Sequence, residues 1–140
     1  MNILVTGAAG LLGRWVCRAA RSVGHRVQGV DTLGRLRFFG NLGDDPRDDD
    51  VLQASFDSPQ ALALVDDADA VVHCAAQTSH PRSISIVQED FDVNAAGTLR
   101  LLQRLRGRRT RLVHISTAKV YGQNVDDPAR YPVVEDETRF

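Results

Sequence analysis

"NILVTGAAGLLG", Asn2 to Gly13, is the stretch on which the fold turns. Asn2 to Thr6 is a short apolar run with β-branched members, closed by Gly7. Such a run reads as a strand buried on both faces, as parallel sheets require. Then the period changes. Leu11, Leu12, Trp15, Val16, Ala19, Ala20 and Val23 recur at helical spacing, while Arg14, Arg18 and Arg21 take the other face and Gly24 supplies the stop. The spacing predicts strand, glycine turn and helix in immediate succession.

The turn between them carries glycines at 7, 10 and 13, spaced G-x-x-G-x-x-G. Between a strand and a helix, such a loop makes a tight turn, brings backbone N–H groups up to a pyrophosphate and packs the helix closely. Gly7 and Gly10 are expected to do the first two jobs and Gly13 the third. A second strand, "HRVQGVD", ends in Asp31, where a carboxylate accepts hydrogen bonds from an adenosine ribose. The same charge repels a 2′-phosphate, so NAD is expected over NADP, with Arg14 and Arg35 as the counter-signal.

Further on, strands and helices keep alternating. Residues 32–50 read as a surface excursion, rich in glycine and aspartate. A short strand follows over Val51 to Ser55, then a brief helix opened by Ser58 as N-cap and Pro59. "DAVVHCAA" (Asp69 to Ala76) is a buried strand, Ser83 to Leu105 a longer helix ended by Gly107, and "RLVHIS" (Arg111 to Ser116) a fifth strand. On that helix Val87, Phe91, Asn94, Ala95, Thr98, Leu101, Leu102 and Leu105 fall near one face. His73 and His114 are expected to be core histidines. The alternation argues for parallel βαβ units with right-handed crossovers and helices on both faces of the sheet. The fold class is α/β, a Rossmann-type three-layer domain with about five parallel strands over residues 1–140.

Bulk properties narrow the partners. Net charge is −1 over 140 residues, which steers the chain toward neither nucleic acid nor a membrane surface. Of the seventeen basic residues only Lys119 is a lysine. Cys17 and Cys74 sit in apolar segments and read as reduced, buried thiols, with no zinc spacing. No apolar run approaches the ~20 residues of a membrane span, and the first residues lack the basic lead of a signal peptide. A cytoplasmic protein without a metal is expected.

"ILVTGAAGLLG", "GVD", "DAVVHCAA", "VNAAGTLRLL" and "HISTAKVYG", in this order, resemble the NAD-dependent epimerase/dehydratase family, extended short-chain dehydrogenases/reductases that act mostly on nucleotide sugars. The resemblance runs to about residue 137. It implies that Gly7, Gly10, Leu11, Leu12 and Gly13 line the pyrophosphate and that Asp31 and Thr32 meet the adenosine ribose. Cys74, Ala75 and Ala76 would pass their backbone along the cofactor, with Thr78 just beyond. Asn94 would face the cofactor from the long helix. Thr117 matches the catalytic Ser/Thr whose hydroxyl bonds the substrate oxygen. A homodimer through the helix near 83–105 and a nucleotide sugar or related small molecule as substrate follow from the same likeness.

One family motif is missing from these residues. The family's acid/base is the tyrosine of Y-x-x-x-K, whose lysine stabilises phenolate against a phenol's ordinary pKa near ~10. Here the tyrosines are Tyr121 and Tyr131, and four residues beyond them stand Val125 and Glu135. The 140 residues are therefore expected to be a cofactor-binding portion truncated before that motif, without the later strands and the C-terminal substrate domain, and inactive alone. The alternative is a non-catalytic dinucleotide-binding sensor or interaction module. Ala118 and Lys119 replace the acidic pair that dehydratases tend to carry after the threonine, which favours epimerase or reductase chemistry. The acidic adenine contact of the family would fall near Ala54 or Ser55, neither of which is acidic.

Overall fold

The structure, a computed structural model, describes residues 1–34, 51–117 and 120. In chain order it contains β1 (Asn2–Thr6), α1 (Leu11–Ser22), β2 (Arg26–Asp31), β3 (Val51–Gln53) and α2 (Pro59–Ala63), which runs into a tight turn at Leu64–Asp67. After these come β4 (Ala70–His73), α3 (His80–Ser85), α4 (Val87–Phe91), a wide π-helical turn at Asp92–Gly97, α5 (Thr98–Leu105) and β5 (Arg111–His114). The five strands form one sheet in the order β3-β2-β1-β4-β5, and every pairing is parallel. Arg35, Ala118, Lys119, Tyr121 and Tyr131 lie outside the described residues, as does most of the 32–50 excursion.

The core lies on both sides of this sheet, and it is why β1 and β4 read as unbroken apolar runs. Leu4, Val30 and Val71 pack on one face against Phe56, Ala61, Val65 and Leu101. Val5 and Val27 pack on the other against Ala8 and Cys17 of the α1 side. Each such aliphatic side chain, fully buried, contributes roughly 1.5–3 kcal/mol of transfer free energy. Ser58 caps α2 as its sequence implies, its hydroxyl accepting from the Ala61 N–H at 3.2 Å.

Helix α1 presents a different face from the one its apolar spacing predicts. Leu11, Leu12, Trp15 and Val23 are exposed at 67%, 47%, 59% and 69%, whereas Gly13 and Cys17 are buried and Val16 and Ala20 half-buried. Gly13 explains the rotation. A Cβ built on it would stand 2.1 Å from the Gly7 carbonyl oxygen, so the helix seats on its own glycine and turns the Gly13–Val16–Cys17–Ala20 stripe inward. The Arg18 guanidinium lies over the outward Trp15 ring, 5.2 Å from its centre.

The long helix foreseen over 83–105 starts earlier, at His80, and breaks at Ile86 (φ −130, ψ 65). At the break the Ser83 hydroxyl bonds Asp90 Oδ1 at 2.7 Å, tying α3 to α4, and the Ser85 hydroxyl donates to the Arg82 carbonyl. Val87, Phe91 and Leu102 are 66%, 58% and 44% exposed, and Ile84 and Leu99 are exposed too, so these side chains do not form an inner face. Leu101 is the buried anchor of α5, at 1%. Strand β5 corrects a further expectation. It is an edge strand, and His114 on it is exposed, whereas His73, its partner in register, is 1% exposed.

Candidate functional site

Chain order and strand order together create a crevice. From β1 the chain winds outward through β2 to β3, then crosses back to lay β4 against the other side of β1. The segments leaving the C-terminal ends of β1 and β4 thus part in opposite directions, the switch point at which open α/β sheets take ligands. The loop 7–13 follows β1, Asp31 ends β2, residues 74–78 follow β4 and residues 115–117 follow β5. The candidate cofactor and catalytic residues other than Asn94 all lie in these segments or at the strand ends they leave.

The loop after β1 is built by backbone contacts. Gly7 has φ +68, and a Cβ there would stand 2.8 Å from the Ala75 nitrogen, so the β1 and β4 exits touch through bare backbone. The Gly7 and Ala8 N–H groups donate to the Val30 carbonyl, and the Gly10 N–H donates to the Gly7 carbonyl. The Ala9 N–H donates to Asp31 Oδ2 at 3.0 Å. What remains is the first turn of α1, which has no side-chain cap and no acidic residue. Among the described residues the N–H groups of Leu11, Leu12 and Gly13 have no acceptor. Three donors and the positive end of a 12-residue helix converge there, which is what an anionic group binds.

Asp31 is committed on both oxygens, Oδ2 to Ala9 and Oδ1 to the Leu33 N–H at 2.7 Å, while Thr32 beside it is exposed. Arg14 lays its Nε on the Ala9 carbonyl at 2.9 Å, fastening the loop from the other side. Ala75 donates its N–H to Thr6 Oγ1 at 3.2 Å, and that hydroxyl meets His73 Nδ1 at 2.6 Å. On the far side of the ring, Nε2 lies 3.1 Å from Thr98 Oγ1, so the imidazole bridges two hydroxyls. Cys74 is half-buried, and burial pushes its thiol pKa up; Ala76, Thr78, Ser116 and Thr117 are exposed. Ser55 hydrogen-bonds Asp57, which in turn pairs with Arg100 at 2.6 Å.

Asn94 sits inside the π-helical turn, and its side chain clasps the backbone of Gln77. Its Oδ1 accepts from the Gln77 N–H at 2.8 Å, and its Nδ2 donates to the Gln77 carbonyl and to Asp90. Both amide hydrogens are used, so Asn94 holds the loop after β4 in shape. The sequence carried no signal for this bond. Gly97 closes the turn; a Cβ there would stand 2.8 Å from Phe56 Cζ. Sequence reading also passed over Ala9 and Leu33, whose backbone roles leave no mark in residue type, and the Thr6–His73–Thr98 chain.

Burial, and after it the nearby His114, push the His73 pKa down from 6.5 to about 4. The unfolded chain therefore binds a proton that the folded one refuses between these values. Stability is full above pH 6.5 and falls as pH drops toward 4, by roughly 1.4 kcal/mol per unit at most. In His73→Asn, which can still hydrogen-bond Thr6, the decline of urea-unfolding stability over this window is expected to be shallower by about 2 kcal/mol. Equal slopes would remove His73 as the cause.

The sequence profile of the NAD dependent epimerase/dehydratase family matches residues 3–139. The chain belongs to that family. It is 38% identical over 130 residues to a dTDP-glucose 4,6-dehydratase of Streptomyces antibioticus, a match covering 87% of this chain and 39% of that one. A UDP-glucose 4-epimerase of Mycolicibacterium smegmatis is 34% identical over 142 residues, covering 97% of this chain and 44% of the relative. Among solved structures, a UDP-glucose-4-epimerase from Stenotrophomonas maltophila with bound NAD and formylated UDP-arabinopyranose superposes with a TM-score of 0.74 at 34% identity, over 91% of this chain and 40% of that one. The chain thus spans about two fifths of the length of these relatives. The Rossmann-type fold and the membership of an NAD-dependent family stand. Among the described residues no helix is long and apolar enough to cross a membrane.

Proposed function

We propose that residues 1–140 form the NAD-binding part of an oxidoreductase that acts on a nucleotide sugar. The observation that carries this reading is the unsatisfied first turn of α1, with Leu11, Leu12 and Gly13 N–H groups facing the switch-point crevice. These donors hold the pyrophosphate, which Gly7 and Gly10 let approach because they carry no side chain. Asp31 and Thr32 take the adenosine ribose, and Cys74, Ala75, Ala76 and Thr78 line the dinucleotide beyond. Asn94 keeps that lining in place through Gln77.

NAD is favoured over NADP because a carboxylate at the end of β2 would repel a 2′-phosphate on the ribose. NAD supplies the hydride acceptor and donor. Thr117, leaving β5 at the same end of the sheet, orients and polarises the substrate oxygen. Epimerase or reductase chemistry suits Ala118 and Lys119 better than dehydration. The tyrosine/lysine pair that moves the proton in this family is not among residues 1–140, so this portion binds without turning over. The exposed apolar side chains of the 80–105 segment, among them Val87, Phe91 and Leu102, serve a second copy. A cytoplasmic location agrees with Cys17 and Cys74 standing outside any disulfide.

One purified sample of residues 1–140 tests these points together. Calorimetry is expected to show saturable NAD binding, sedimentation equilibrium a dimer, and an assay with UDP-glucose and NAD no turnover. Turnover by the pure chain would refute the account of its chemistry. A monomer at all concentrations would remove the second copy, and absence of NAD binding would end the reading.

A further inference from the structure

We propose that Asp31 is a positioning residue for the whole nucleotide site, acting before any nucleotide arrives, in addition to meeting the ribose. The ribose contact rests on the reading above, whereas the positioning role rests on the geometry alone. Asp31 is half-buried at the end of β2, and its two oxygens go to two separate loops: Oδ2 to the Ala9 N–H inside the glycine turn at 3.0 Å, Oδ1 to the Leu33 N–H at 2.7 Å.

Each of those loops needs the support. Ala9 is the middle of the turn whose exit points the Leu11–Gly13 donors into the crevice, and its carbonyl is held at the same time by Arg14. Leu33 has φ +58, the only positive φ among described residues other than glycine, and it is an uncomfortable one for a branched side chain. An aspartate two residues earlier closes a short side-chain ring to that N–H, which holds such a turn. The carboxylate is therefore a strut between the β1 and β2 exits. Removing its charge should not simply open the site to NADP, because the pyrophosphate donors lose their alignment with it.

The discriminating probe is 2′,3′-dideoxyadenosine diphosphate, which keeps adenine and diphosphate but offers Asp31 no ribose hydroxyl. In Asp31→Asn one amide N–H faces the Ala9 N–H, donor against donor. Affinity for the dideoxy nucleotide is expected to fall about tenfold, with a drop of about 5 °C in the melting temperature of the nucleotide-free chain and no gain of NADP binding. Asp31→Glu keeps the charge but is one methylene too long to close the ring to Leu33, and the same two losses are expected. If both variants bind the dideoxy nucleotide as the wild type does and melt where it melts, Asp31 touches only ribose and the proposal is overturned. If the wild-type chain binds neither NAD nor the dideoxy nucleotide, the cofactor reading fails, and the melting temperatures alone decide the strut.

Discussion

Gly13→Ala should destabilise the chain by about 4 kcal/mol, even though alanine is the better helix former. In an open helix interior the exchange would gain about 1 kcal/mol of propensity. Here the new methyl would stand 2.1 Å from the Gly7 carbonyl oxygen, 2.8 Å from its carbonyl carbon and 2.9 Å from Ala8 Cα. All three are backbone atoms of the loop that Asp31, Val30 and Gly10 hold from other directions, so none can swing aside as a side chain would. Helix α1 must lift from the sheet, and the packing of Val5, Ala8, Cys17 and Val27 loosens with it. Thermal and urea unfolding read the effect directly. Gly24→Ala is the control: it has φ +84 but nothing within 4 Å of a Cβ, so a loss of only about 1 kcal/mol is expected. Unchanged or raised stability in Gly13→Ala would show that the glycine does not set the seat of the helix.

Gly10→Asp should leave the fold intact and remove NAD binding, weakening it by roughly a hundredfold or more. Gly10 is the N-cap of α1 with ordinary extended backbone (φ −72, ψ 169), and among the described residues a Cβ there would meet only the Gly7 carbonyl oxygen, at 3.1 Å, which must yield a few tenths of an ångström. Aspartate is among the preferred N-caps, worth about 1 kcal/mol to a helix that has none. Its carboxylate would accept from the Leu12 or Gly13 N–H and place a negative charge where the pyrophosphate's charge must go. One change thus stabilises the helix and blocks the site. Gly10→Asn takes the donors without the charge, so about a tenfold loss is expected. Calorimetry with circular dichroism on the same samples separates binding from folding. Undiminished NAD affinity in Gly10→Asp would move the pyrophosphate elsewhere.

The element order was legible because buried parallel strands must be apolar throughout. "ILV" and "VV" stand out against helices of mixed character, and the glycines at 7, 10 and 13 mark a tight turn between β1 and α1. The faces were not legible. Spacing assigns Leu11, Leu12 and Trp15 to the inside of α1, but a contact between Gly13 and the Gly7 carbonyl overrides hydrophobicity and turns them outward. Val87 and Phe91 were misassigned for a related reason, since the break at Ile86 and the π-helical turn at Asp92–Gly97 shift the phase of any stripe counted through them. His114 shares its register position with His73 but not its burial, because an edge strand has a neighbour on one side only. In the loop after β1, the tight turn at Gly7 and the close helix seat at Gly13 were legible because only glycine meets those contacts. The bonds from Asp31 to Ala9 and Leu33, and from Asn94 to Gln77, end on backbone groups that every residue carries.

The central claim is that the bare first turn of α1 grips the diphosphate of a dinucleotide. Amide chemical shifts of isotope-labelled chain during NAD titration test it residue by residue. The Leu11, Leu12 and Gly13 amides should shift together, saturably, with Ala75 moving beside them. If NAD binds and those three amides stay where they are, the claim is wrong.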